Sequence, residues 1–186
     1  EEGQFNRNAA ISVKITGSTL EVTPIEALYV EAENITISRS TSARSGRAPL
    51  VDNNTYHPTF VKEDETTRTK TFTLPNIGDY LYEVEIDFQK RSDFSKAGTD
   101  LSISISPNKF EYDGKEHKPT DITVKWEGTL LALNTDYIIK EYKDNVNAGK
   151  GKVIVVGKGK YMGERHGEFD IAQRDINLVT FTPNPI

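Results

Sequence analysis

Cysteine is absent from the 186 residues. That excludes disulfides and thiolate metal ligation, so the fold stands on burial and hydrogen bonding alone. Long apolar runs are absent as well. No stretch approaches the roughly 20 apolar residues that cross a bilayer as a helix, and Glu1-Glu2-Gly3 does not open a signal peptide, which starts basic and turns apolar. Any export signal or anchor is expected outside these residues. The chain also lacks an excess of positive charge: residues 1–97 hold 11 Lys/Arg against 15 Asp/Glu, and residues 98–186 hold 12 against 13. Neither half offers the basic surface that nucleic-acid phosphates or anionic membranes require, so both are set aside as partners.

What the chain has is strand-length alternation. Hydrophobic residues make up 35% and charged residues 27%, a polar balance, yet the apolar residues recur at every second position between turn residues. Ile11, Val13 and Ile15 alternate, then Leu20 and Val22, Val30 and Ala32, and Ile35 and Ile37. The clearest run is Tyr80, Tyr82, Val84, Ile86 and Phe88, with Leu81, Glu83, Glu85 and Asp87 on the opposite face. Period two predicts antiparallel sheet with one face on a core. The run is entered through Gly78-Asp79-Tyr80, which is similar to the tyrosine corner of immunoglobulin-like sandwiches. Residues 39–55, rich in Ser, Arg, Asn and Gly, predict a long exposed loop.

At this length two modules are expected. A boundary is placed at Phe94-Ser95-Lys96-Ala97-Gly98-Thr99-Asp100, after which Leu101, Ile103 and Ile105 begin a new alternation ended by Pro107. Ile122, Val124 and Trp126 form the next, Asp136-Tyr137 opens another, and residues 151–156 read as a central strand. Ile176, Leu178, Val179 and Phe181 alternate imperfectly, as a tail or as the first strand of a further module.

The punctuation of the second half is specific. Tyr112-Asp113-Gly114, a segment with Pro119, Asp136-Tyr137, Asn147-Ala148-Gly149, Gly157-Lys158-Gly159-Lys160-Tyr161-Met162-Gly163 and Phe169-Asp170-Ile171 follow in order. This pattern, over roughly residues 103–172, resembles one immunoglobulin-like repeat of bacterial surface proteins, of the kind called MBG or YDG-type domains. The resemblance implies an all-β chain of two tandem immunoglobulin-like β-sandwich domains: residues 1–97 a generic one, residues 98–175 the YDG-type one, residues 176–186 a tail or a further start. It further implies a secreted or surface location, with a monomer inside a longer multidomain protein.

Each candidate site also has a plain structural role. The glycines of residues 157–163 lack the following helix that a phosphate loop needs, and read as a hairpin. His57, His117 and His166 have no metal-ligand spacing and read as surface residues, and the acidic clusters, Glu63-Asp64-Glu65 among them, lack a calcium-loop series. No nucleophile motif appears, so no catalytic residue, metal or cofactor is assigned. Trp126 shares a face with Ile122 and Val124 and reads as core. The aromatics left for sugar stacking are Tyr29, Tyr56 and His57. A Lys–Asn isopeptide cross-link is an open alternative to disulfides. The candidate partner-binding loop is residues 39–55, with Arg39, Arg44 and Arg47 facing a host or cell-surface protein or glycan. The functional expectation is a non-catalytic adhesion or spacer module, with an accessory carbohydrate-binding module as the alternative.

Overall fold

The computed structural model describes residues 9–39, 54–77 and 82–174. Among them the protein is all-β, with several sheets layered as in the sandwich class, one 3₁₀ turn and no α-helix. It divides into two compact units, Glu1–Arg91 and Ser92–Ile186. The division falls before residue 97 because Phe94, in a polar stretch with no periodicity, is fully buried in the second core.

In the first unit β1 (Ala10–Thr16), β2 (Thr19–Pro24), β5 (Thr59–Asp64) and β6 (Thr69–Thr73) form an antiparallel sheet in the order β1-β2-β6-β5. Two shorter ladders accompany it: β3 (Leu28–Tyr29) with β8 (Gln89–Lys90), and β4 (Ile35–Arg39) with β7 (Tyr82–Ile86). Leu20, Val22 and Phe72 of the sheet share one core with Ile35 and Ile37 of β4, and Val84, Ile86 and Phe88 pack against it. The alternation of Val84, Ile86 and Phe88 thus faces the core as its period demands. Gly78, Asp79 and Tyr80, with the tyrosine corner expected there, lie outside the described residues.

Two expectations for this unit need correction. Ile11 and Ile15 were placed on a core face but are 73% and 46% exposed, and only Val13 of that trio packs inward. β1 is an edge strand with a register shift between Ala10 and Ser12, so much of its inward face overhangs the core. Ala32 was read as strand, but Ala32–Asn34 is a 3₁₀ turn closed by the Asn34 N–H on the Glu31 carbonyl at 3.0 Å. Asn34 Oδ1 accepts the Glu31 N–H in return, the local bonding that draws Asn out of extended chain.

The second unit begins with β9 (Ser92–Asp93). A three-stranded sheet follows the order β10 (Leu101–Ser106), β12 (Asp121–Trp126), β13 (Thr129–Leu130). The facing sheet has the order β11 (Lys109–Glu111), β17 (Glu164–Ala172), β15 (Gly149–Gly157), β14 (Tyr137–Lys143), and β16 (Tyr161–Met162) pairs with β9. The chain crosses from one sheet to the other at Pro107, whose bond to Ser106 is cis. Residues 151–156 lie in β15, between β14 and β17, the central place expected of them.

Val124, Ile122 and Ile103 of one sheet meet Tyr137, Val155 and Ile139 of the other. At Gly167 the layers leave no room for a side chain, since a Cβ would stand 2.7 Å from Ile103 Cγ2. At the N-terminal end of the core Phe94, Trp126 and Tyr161 form one aromatic group, with ring centroids 5.5 to 6.0 Å apart. Trp126 is therefore a core residue, as its parity indicated. Gly163 has φ +74, and any side chain there would collide with Asp93, so the glycine lets β9 dock. Gly157 serves the hairpin differently: it makes room for the Met162 backbone.

Phe94→Ala is expected to destabilise the second unit by about 3–5 kcal/mol, the usual cost of emptying an aromatic site. Because Trp126 is the chain's only tryptophan and stacks on Phe94, its fluorescence in denaturant reports this unit selectively. An unchanged fluorescence midpoint would refute the placement of Phe94.

Candidate functional site

The nominated binding loop lies largely outside the described residues, Arg44 and Arg47 included. Arg39 closes β4, its backbone opposite Tyr82. The remaining sequence motifs can be followed atom by atom, and each closes a turn.

In Tyr112-Asp113-Gly114 the Tyr112 N–H donates to the Ala172 carbonyl at 2.9 Å, extending the parallel pairing of β11 with β17. Asp113 Oδ1 accepts the Lys115 N–H at 2.9 Å, and Gly114 takes φ +78. In Asp136-Tyr137 the aspartate accepts the Ala132 N–H at 2.9 Å, while the tyrosine is buried and donates its hydroxyl to the Ile122 carbonyl at 3.0 Å. Asp64 accepts the N–H groups of Thr66 and Thr67 at the β5–β6 turn, and those bonds, Thr67 first, hold its carboxyl below the usual value. Asp64, Asp113 and Asp136 thus each give an oxygen to backbone N–H groups of their own turn. Among the described residues no three His, Asp or Glu side chains gather as a metal site.

The histidines separate. His57 is exposed and bonds the Ile35 carbonyl through Nδ1, and His166 lies outward beside Glu168. His117, expected at the surface, is instead largely covered: its ring lies 4.9 Å from that of Phe110, which in turn meets Phe169 edge-on. Its backbone N–H donates to Asn145, and Asn145 returns a side-chain bond to the His117 carbonyl. No local sequence signal marks such a residue, because Asn145 comes from a distant turn.

Sheet faces decide between a sugar platform and a plain surface. On the outward side of the first sheet the register sets Thr16, Thr19, Thr73 and Thr59 in one row and Lys14, Glu21, Thr71 and Lys62 in the next. Ser12, Thr23 and Thr69 continue as a ladder of hydroxyls, bonded at 3.1 and 2.8 Å. On the outward side of the second unit's four-stranded sheet, Lys150–Asp170 and Lys140–Glu164 pair across strands at 2.6 and 2.9 Å. The Lys140–Glu164 pair joins β14 to β17 and so arches over β15 between them; each partner's pKa moves toward the charged form, the lysine's up and the glutamate's down. Neither face carries a row of aromatics. Of the aromatics considered for stacking, Tyr56 packs against the first core and Tyr29 is half-buried, with its phenol pKa pushed up chiefly by that burial.

One buried ion pair was not legible in the sequence. Lys70 lies on the inward face of β6, and its Nζ meets Glu31 Oε1 at 2.9 Å and the Phe60 ring at 5.9 Å. Its side chain is 6% exposed and that of Glu31 39%, so the ammonium bears most of the desolvation. The partner of this lysine is a glutamate, so Lys70 is not placed for a Lys–Asn cross-link.

Comparisons with family models, curated proteins and solved structures gave no match. The site assignments therefore rest on the geometry above.

Glu31→Ala, which strands a buried ammonium, is expected to cost the first unit about 1–3 kcal/mol, and Lys70→Met less. The reverse order in denaturant melts would overturn this account of the pair. Burial, with Asp121 nearby, raises the Tyr137 pKa above 10.0. A folded pKa above the unfolded one contributes stability that is complete below pH 10.0 and lost as pH rises through the folded value. Melts of the native chain should thus lose stability of the second unit above that pH, and Tyr137→Phe should lessen the loss. An identical alkaline slope in both proteins would contradict it.

Proposed function

We propose that the chain is a pair of tandem immunoglobulin-like modules from a secreted or surface-anchored bacterial protein, and that its work is non-catalytic: it spaces other parts of that protein. The observation that carries this reading is the character of the sheet faces. They carry threonine rows in the first unit and cross-strand ion pairs beside Ile138, Ile154 and Val156 in the second, and neither holds the row of aromatics that would make a sugar platform. Phe60 and Tyr112 are the exposed aromatics among the described residues, one in each unit.

Topology supports the immunoglobulin-like class for the second unit. Its first long strand is split between sheets as β10 and β11, and β11 runs parallel to the last strand. The sequence supports an array. Residues 175–184, which lie outside the described ones, repeat residues 100–108 in outline: an Asp, an alternating apolar stretch one residue longer, then Thr-Pro-Asn in place of Ser-Pro-Asn. The starting aspartates are 75 positions apart. Three edge strands, β1, β5 and β14, carry register shifts of the kind that blunts edge-to-edge pairing, which favours a monomer.

The test is binding of the purified chain to host glycoproteins, matrix proteins and polysaccharides, beside a variant lacking residues 40–50. A spacer gives no saturable binding in either protein. Binding lost with the deletion would make the chain an adhesin acting through its Arg-rich loop, and binding confined to polysaccharides would replace the reading with a carbohydrate module.

A further inference from the structure

The second unit contains two strand pairs of a kind found nowhere else among the described residues. Of eleven strand pairings, nine are antiparallel, and the two parallel ones are β9 with β16 and β11 with β17. Each joins a segment from the start of the unit to one from its end. In the first unit the described ends are not joined: β1 pairs with β2, and β8 with β3.

We propose that the second unit bears tension along the chain, with these two pairs as its clamps. The proposal gives the spacer reading a mechanical purpose and draws its biological sense from that reading. Tension at the chain ends drags β9 and β11 from their N-terminal side and β16 and β17 from their C-terminal side. In a parallel pair those pulls slide the strands lengthwise past each other, so every bond across the pair is loaded at once. An antiparallel pair pulled at one end opens bond by bond. A single amide bond is worth only about 0.5–1.5 kcal/mol net, so sequential rupture is soft, whereas concerted rupture raises the barrier that governs forced unfolding.

The clamps are well furnished. Ser92 and Phe94 donate their N–H groups to the Lys160 and Met162 carbonyls at 2.9 and 2.8 Å. Arg165, at the start of β17, reaches back to the Phe94 and Lys96 carbonyls at 2.9 and 2.6 Å, so the last strand grips the entering chain directly. At the second clamp the Asp170 N–H donates to Asn108 and the Tyr112 N–H to Ala172, at 2.8 and 2.9 Å. The Ser92 bond stands at the first residue of the unit, so the clamp begins where the unit does.

The experiment is single-molecule pulling of the whole chain from its two ends. With no native cysteine, one added at each terminus makes unique handles. Two rupture events are expected, the second unit's at the higher force, and Phe72→Ala in the first core identifies the lower event by shifting it alone. Tyr112→Pro deletes one clamp donor on a partly exposed residue, and Arg165→Met deletes two clamp bonds without touching the backbone. Each should lower the upper event, whereas Leu131→Ala, a core change outside the clamps, should lower equilibrium stability while leaving that force nearer the native value. The proposal is overturned if the second unit yields at or below the force of the first, or if rupture force follows core stability and ignores Arg165→Met. A weak clamp with no ligand found would remove the load-bearing role and leave the spacer reading in place; ligand binding with a strong clamp would do the opposite.

Discussion

The second unit depends on the burial of Phe94. This ring lies in a polar connection, yet it completes the aromatic group with Trp126 and Tyr161, and its backbone N–H and carbonyl are both held by residues from the end of the unit, Met162 and Arg165. Burying a side chain of that size is worth a few kcal/mol, more than any single hydrogen bond around it. That burial brings β9 beside β16, and the geometry of the entering chain follows. Gly163 is required for the same reason, since a side chain there would displace Asp93.

The first unit shows a different balance. Its core is aliphatic around Phe72, and a charged residue, Lys70, occupies an inward position of the central strand β6. Desolvation of that ammonium is offset by one carboxylate at the end of a 3₁₀ turn and by the face of Phe60. The unit's outer sheet face is almost wholly hydroxyl and charge, so its solubility and its lack of a stacking surface come from the same residues. In the second unit the comparable face is laced with ion pairs whose members are mostly exposed and contribute little stability singly. Their consequence is surface neutrality.

Much of the strand content was legible because Val and Ile alternate with Ser, Thr, Glu and Lys, and that period has one structural meaning. Trp126 was assigned to the core by parity with Val124, and residues 151–156 to a central strand by their apolar run. What escaped depended on distant partners or on position in the sheet. Ile11 and Ile15 carry the same signal as buried residues, and only their place on an edge strand exposes them. Phe94 and His117 sit in polar, aperiodic segments, and residues far along the chain, Trp126 and Tyr161 for the first and Asn145 for the second, help to hold them. The glycine-rich hairpin and the Tyr-Asp-Gly turn were legible as turns from their glycines, and their polar groups bond backbone. The Arg-rich segment of residues 40–53 lies outside the described residues.

The central claim is that the second unit is closed by bonding its first segments to its last. Native-state hydrogen exchange of the whole chain tests it at four donors: Ser92, Phe94, Tyr112 and Asp170. Closure predicts that these amides exchange only with global opening of the unit, at the protection of Val153 and Val155 in its central strand. Exchange at the rate of fraying ends, with the central strand still protected, would contradict it.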